Sequence, residues 1–203
     1  MKLDKYRVCI DFVNTLSWRG REVSAEALIN YSDLIKWSRQ VGIITPQDAD
    51  KLFKKADRHP ADGKRVLRGA VDLRETIYRI FAAIIENQKP AKEDLAAFNN
   101  YLSKTMVHSQ IINTKKGFHW DSSGDKSKMN WVLNPIIRSA ADFLVSDGLK
   151  KLKFCSDPMC RWLFLDISRN QSRRWCDMKD CGNRAKAKRF YQKKQMRKKS
   201  IIR

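Results

Sequence analysis

Four cysteines near the C-terminus constrain this chain more than any other feature. The spacing Cys155-x4-Cys160-x15-Cys176-x4-Cys181 sets two close pairs, separated by enough chain to fold back as a hairpin and bring them together. Zinc takes four soft ligands in a tetrahedron, and two such pairs supply them. A catalytic zinc keeps an open position, whereas four cysteines fill the shell, so the spacing predicts one structural Zn2+ on Cys155, Cys160, Cys176 and Cys181. The ligands bind as thiolates, a form that the nearby Arg161, Arg173, Arg174 and Arg184 favour. Cys9 stands alone and reads as a small buried hydrophobe. The Met1-to-Ile10 stretch has no signal-peptide apolar core, so a metal site is expected rather than a disulfide scaffold.

Charge points the same segment at an acidic partner. The 203 residues carry a net charge of +20, and such an excess matches nucleic acid or an anionic membrane surface. Residues 150–203 hold 18 Lys/Arg against 4 Asp/Glu, so most of the excess sits in the last quarter. No apolar run approaches the roughly 20 residues that span a bilayer, and the expectation is a soluble, cytoplasmic protein with no membrane partner.

Upstream, the apolar periodicity is mostly helical. The run from Val8 to Leu16 reads either as a strand or as a helical turn, and periodicity does not choose. A helix is expected from Ser24, with Leu28, Tyr31, Leu34 and Ile35 on one face and Gly42 closing it. Thr45-Pro46 caps a second helix with Ala49 and Leu52 inside. Val66 to Ile85 keeps the strongest 3.6-residue rhythm, and another helix follows Pro90. Ile111-Ile112, the Lys115-Lys116-Gly117 turn and Phe118-His119-Trp120 read as a β-hairpin. A last helix covers about Val132 to Val145, and Ser146-Asp147-Gly148 breaks it. Composition then turns basic and cysteine-rich, which places a boundary between domains 1–148 and 149–203. The predicted class is α+β: a mostly helical N-terminal domain with a small hairpin, then a zinc finger with a basic C-terminal helix.

The run Cys155-Ser-Asp-Pro-Met-Cys160-Arg-Trp162-Leu-Phe164-Leu-Asp166, continuing through Arg173-Arg174-Trp175-Cys176 to Cys181-Gly182-Asn183-Arg184, resembles the CGNR-type zinc finger, name-giving tetrapeptide included. The stretches Asp11-Phe12-Val13-Asn14-Thr15-Leu16, Leu73-Arg74-Glu75 with Tyr78-Arg79-Ile80-Phe81, and Pro135-Ile136-Ile137-Arg138-Ser139-Ala140-Ala141 are similar to that finger's companion, the ABATE domain. The resemblance covers nearly the whole chain. It implies a bacterial, nucleoid-associated transcription regulator that binds DNA through the finger, with the N-terminal domain sensing or dimerising.

Within the finger, Trp162, Phe164 and Trp175 are expected to pack beside the metal, because a module this small has little other core, and stacking on unpaired bases is the alternative. A knuckle, a hairpin and a helix starting at the last ligand make a treble-clef-like arrangement. Phe190 and Tyr191 are expected to pin that helix to the finger. From Gly182 to Arg203 there are ten Lys/Arg and no acid. Lys186, Arg189, Lys193 and Arg197 fall at helical steps, joined by Lys188 and Lys194, as phosphate contacts on duplex DNA. Arg173, Arg174 and Arg184 are the candidates for base edges, and Asn183 is expected to bond its own backbone. Charge serves RNA equally, and a module binding structured or ribosomal RNA is the alternative.

In the N-terminal domain, Asp11 is expected to pair with Arg74 or Arg138 because a buried charge needs a partner. The rival reading makes Asp11, Asn14, Arg74 and Arg138 a pocket for a small-molecule ligand. A homodimer is a further expectation of that domain. His59, His108 and His119 have no metal-ligand spacing, and no nucleophile and base stand together, so no enzyme is expected.

Overall fold

The computed structural model describes residues 6–115, 117–121, 125–126 and 128–201, with His119 and residues 197–201 described by their backbone alone. Contacts divide the chain into two units: residues 1–16 with 26–150, and residues 17–25 with 151–203. The second unit therefore includes a short loop from near the N-terminus.

In unit 1, α1 (Arg7–Val13) settles the ambiguous first stretch as helix. Cys9, Ile10, Phe12 and Val13 are buried together, a helical set rather than the alternation of a half-buried strand. Next come two two-residue strands, β1 (Leu16–Ser17) and β2 (Ala25–Glu26), which pair with each other. The helix expected from Ser24 starts later. Residues 25 and 26 are in β2, and α2 (Tyr31–Gln40) opens at a reciprocal cap in which Asn30 and Asp33 each accept the other's backbone N–H. Gly42 ends it in the left-handed conformation, at φ +76.

Thr45 caps α3 (Pro46–Arg58) by accepting the Asp48 N–H at 3.1 Å. The long α4 (Pro60–Ile85) runs further upstream than its apolar rhythm, because Pro60 supplies a preset first helical residue. It is followed by α5 (Lys92–Met106), then the expected hairpin of β3 (Gln110–Thr114) and β4 (Gly117–Asp121), antiparallel with Ile111 opposite Trp120. Lys116 of the expected turn lies outside the described residues. A 3-10 turn at Met129–Leu133 leads into α6 (Asn134–Leu144).

The core of this unit is aliphatic and aromatic. Phe143 of α6 meets Tyr6 at 5.1 Å and Phe81 of α4, edge-on, at 5.4 Å. Leu34, Ile35, Leu73, Ile77, Ile80 and Ile136 are closed off from solvent around them. Arg74 is the exception among these apolar residues, only 1% exposed. Its guanidinium forks onto both carboxylate oxygens of Glu26 at 2.7 and 2.6 Å, reaches Thr15 Oγ1 at 3.1 Å, and bonds Glu75 at 2.9 Å. One buried arginine in α4 thus joins Thr15 to Glu26.

Unit 2 has the antiparallel pair β5 (Leu152–Phe154) and β6 (Leu163–Leu165), a π-turn at Met178–Gly182, and α7 (Asn183–Ile201).

Candidate metal centre

The two cysteine pairs lie on two tight turns. In the first, Cys155 follows β5 and donates its N–H to Trp162 O at 2.8 Å, while Cys160 N–H closes onto Asp157 O at 3.0 Å. Asp157 Oδ1 also accepts the Met159 N–H at 3.0 Å. In the second, Asp177 Oδ1 takes the N–H groups of Lys179 and Asp180 at 2.6 and 3.0 Å, and Gly182 N–H returns to Asp177 O at 3.0 Å. Each pair of ligands is therefore shaped by an aspartate next to it that turns backbone donors inward.

The four Sγ atoms lie within 4.8 Å of one another, with Cys160 to Cys176 at 3.7 Å and Cys176 to Cys181 at 3.5 Å. A tetrahedron with Zn–S bonds of about 2.3 Å needs S···S separations of about 3.8 Å. The residues fit the ion, and Cys155, Cys160, Cys176 and Cys181 form one structural zinc site.

As thiols the four sulfurs are unequal. Hydrogen bonds from Cys160 and Cys176 push the Cys155 thiol well down, the bond to Cys155 pushes Cys160 up, and bonds to Cys155 and Cys160 push Cys176 far up. Burial pushes Cys181 up to about 12. A zinc ion removes that inequality, because a coordinating thiol is deprotonated outright.

Around the sulfurs, Trp18, Trp162 and Trp175 pack against the cysteine cluster, as expected of the last two. Trp18 comes from the loop 17–25, and sequence gave no sign of it. Gly20 lets the loop sit there: its N–H bonds Met159 O at 3.2 Å, and a Cβ at this position would lie 1.9 Å from Pro158 O.

The tetrapeptide Cys181-Gly182-Asn183-Arg184 now has a physical role at each position. Cys181 is a ligand. A Cβ at Gly182 would press on Met178 at 3.1 Å and on Trp175 at 3.4 Å. Asn183 donates from its side chain to Lys179 O at 2.9 Å, the expected local backbone bond. Arg184 reaches Asp157 Oδ2 at 3.1 Å, the Asp180 carboxylate and Cys181 Sγ at 2.8 Å, and stacks 4.5 Å from the Trp18 ring centre. It ties the two turns, a ligand sulfur and the loop to one another.

Arg173 is also engaged internally. It donates to Trp175 O at 2.9 Å and to Cys176 O, and lies 4.8 Å from the Phe164 ring centre. Of the three arginines expected at base edges, Arg174 is the exposed one, with its guanidinium 5.5 Å from the Trp175 ring centre. Lys186, Lys188, Arg189, Lys193 and Lys194 are all exposed on α7, and the Arg197 side chain lies outside the described residues. Phe190 and Tyr191 do not pin that helix. They are 65% and 63% exposed and meet each other edge-on at 5.9 Å.

A second polar centre escaped sequence reasoning. Asp166 at the end of β6 is 0% exposed, and it accepts Lys153 Nζ at 2.7 Å, the N–H of Ser168 and of Arg173 at 3.0 Å each, and the Ser168 hydroxyl. Burial pulls its pKa upward, but these donors outweigh it and hold the carboxyl at about 2. It secures the connection that leads from β6 to Cys176. A lone Asp in a short apolar run was the only available signal.

The N-terminal candidates take separate partners. Asp11 pairs with Arg7 one helical turn away at 3.1 Å, not with Arg74 or Arg138, because α1 turns its carboxylate outward. Arg74 takes Glu26, and Arg138 takes Asp142 at 3.0 Å while stacking 4.0 Å from the Trp120 ring centre. Asn14 is the C-cap of α1. Of the four, Arg138 alone lines the cavity of about 620 Å3 in unit 1, with Trp120, Asp142, Asp48 and Lys126.

No helix of the described residues is long and apolar enough to cross a membrane. No curated protein matches the chain. Two family models do: the CGNR zinc finger over residues 151–194, and the ABATE model, described as "Putative stress-induced transcription regulator", over residues 6–147. With that model spanning well over half its length and the four-sulfur site where the finger model falls, the chain belongs to the ABATE family and carries a CGNR zinc finger.

Proposed function

We propose that this regulator-family protein binds duplex DNA through unit 2, with zinc holding the finger and α7 supplying the phosphate contacts. The observation that carries the reading is α7 itself. Lys186, Lys188, Arg189, Lys193 and Lys194 are exposed on it, and no acid occurs from Gly182 to Arg203. Its 19 residues rise about 28 Å at the helical 1.5 Å each, and the major groove admits a helix of this kind. Arg174 is the first candidate for a base edge, since its guanidinium is exposed while Arg173 and Arg184 hold the finger together.

If about five phosphates are neutralised, log K for a duplex falls with log salt at a slope near −4 to −5. Replacing Lys193, Lys194 and Arg197 together weakens all duplexes alike and flattens the slope by about 2 to 3, whereas Arg174→Ala reduces discrimination between sequences. Binding to structured RNA much tighter than to any duplex at matched salt would replace this reading with the RNA-binding one.

A further inference from the structure

Beside the metal, unit 2 holds an open groove of about 570 Å3 built from four separate parts of the sequence. Trp18 and Arg21 come from the loop 17–25, Pro158 and Met159 from the first cysteine turn, and Lys188 and Arg189 from α7. Arg174 and Trp175 come from the segment before the second cysteine turn. The volume suits a single small group, far less than a duplex.

Its chemistry is cationic and flat. Arg21, Arg174, Lys188 and Arg189 are exposed, and the one carboxylate lining the groove, Asp157, is already bonded to Arg184. The indoles of Trp18 and Trp175 supply aromatic surface, and Met159 is 48% exposed beside them. The Arg21 guanidinium lies 3.6 Å from the Trp18 ring centre, a stack to which a further planar group can add. The wall carrying Trp18 is held in place: Trp18 sits at φ +60, Arg21 N–H bonds its carbonyl at 2.9 Å, and Gly20 is seated against Pro158.

An occupant that is anionic along one edge and flat and aromatic along the other is a nucleotide. One wall of the groove is α7, whose exposed cations continue past it to Lys193 and Lys194. The cationic track therefore runs on from the groove, as a strand requires and a detached nucleotide does not. We infer that the groove receives one unpaired nucleotide of the DNA strand held by α7, its base on the Arg21–Trp18 stack and its phosphates on Lys188 and Arg189. The inference rests on the reading that unit 2 binds DNA, and it adds that distorted or locally opened duplex is the preferred target.

The test uses the full-length zinc-loaded chain and two duplexes of one sequence, one carrying a single bulged 2-aminopurine and the other with that base paired. The bulged duplex should bind on the order of tenfold tighter at matched salt, with its fluorescence quenched by stacking. Arg21→Gln and Met159→Glu, both at exposed side chains outside the zinc shell, should abolish the preference while zinc content stays at one per chain. Equal affinity for the two duplexes overturns the inference and leaves duplex binding intact. Preference retained in both variants also overturns it. Failure of both duplexes to bind overturns it together with the DNA reading.

Discussion

Unit 1 closes Phe12, Phe81, Phe143 and a set of leucines and isoleucines off from solvent, whereas among the described residues Leu163 is the sole member of unit 2 in the twelve largest fully buried side chains. What unit 2 has instead is four sulfurs, three indoles against them, a buried aspartate collecting donors, and arginines laid on aromatic rings. Area removed from water stabilises a domain at roughly 25 cal/mol per Å2, and a module of this size has too little of it. Metal and polar networks take over that role. Equal damage to the two units should therefore have unequal consequences.

The largest effect expected is metal removal. Zinc contributes on the order of 10 kcal/mol to the folding of finger modules, so Cys176→Ser or a strong chelator should unfold unit 2 while α1 to α6 stay folded and still melt cooperatively. Metal analysis and circular dichroism on the full chain measure both. Full zinc occupancy in Cys176→Ser, or loss of unit 1 on chelation, breaks the comparison.

Next comes the polar exception in unit 1. Arg74→Ala leaves Glu26 and Glu75 without their buried cation. Removing one partner of a buried pair costs 3–5 kcal/mol, and with the Glu26 side chain 33% exposed the loss should be about 2–3 kcal/mol. Arg79→Ala, whose pair with Asp94 has the arginine 53% exposed, should cost about 1 kcal/mol or less. Arg74→Lys should not rescue, because an ammonium cannot reproduce the fork. Denaturant titration separates these values, and equal losses at the two positions would remove the role assigned to burial.

A smaller effect is expected at Asp166, and its pH dependence is specific. Its folded pKa, about 2, lies below the ordinary 3.8. The stability it adds is therefore fully present above the ordinary value and disappears only as pH falls through about 2. Asp166→Asn should lower the Tm of the zinc-loaded finger by the same amount at pH 6 and pH 8. A loss that changes between those pH values would mean that Asp166 titrates there.

The finest contrast lies inside the finger. Arg184→Ala should lower the melting temperature and zinc retention of unit 2, since Asp157, Asp180 and Cys181 all depend on it. Arg174→Ala should leave both unchanged and alter only nucleic-acid binding. Equal thermal effects would sink the division between a structural and a surface arginine.

How much of this was legible in sequence follows from distance along the chain. The zinc ligands were, because each pair spans six residues and its geometry is made by adjacent backbone. The helices α3 to α6 and the hairpin were, because apolar periodicity and caps act over a few residues. Where local signals competed, bounds moved: α2 starts at the cap on Asn30 rather than at Ser24, and α4 begins at Pro60 ahead of its apolar rhythm.

Only tertiary structure decided which distant residues share a partner. Nothing near Trp18 announces that it will pack beside cysteines more than 130 positions later, or that Gly20 is needed to seat it. By charge alone Arg74 reads as a partner for Asp11 or as part of a ligand pocket, and Arg184 as a contact to DNA. Burial assigned Arg74 to Glu26, and the closure of two turns assigned Arg184 to Asp157 and Asp180. Sequence determines which groups a chain carries and how its neighbours along the backbone fold. The partner of a long charged side chain depends on which surfaces packing brings within about 3 Å, and that is a property of the folded whole.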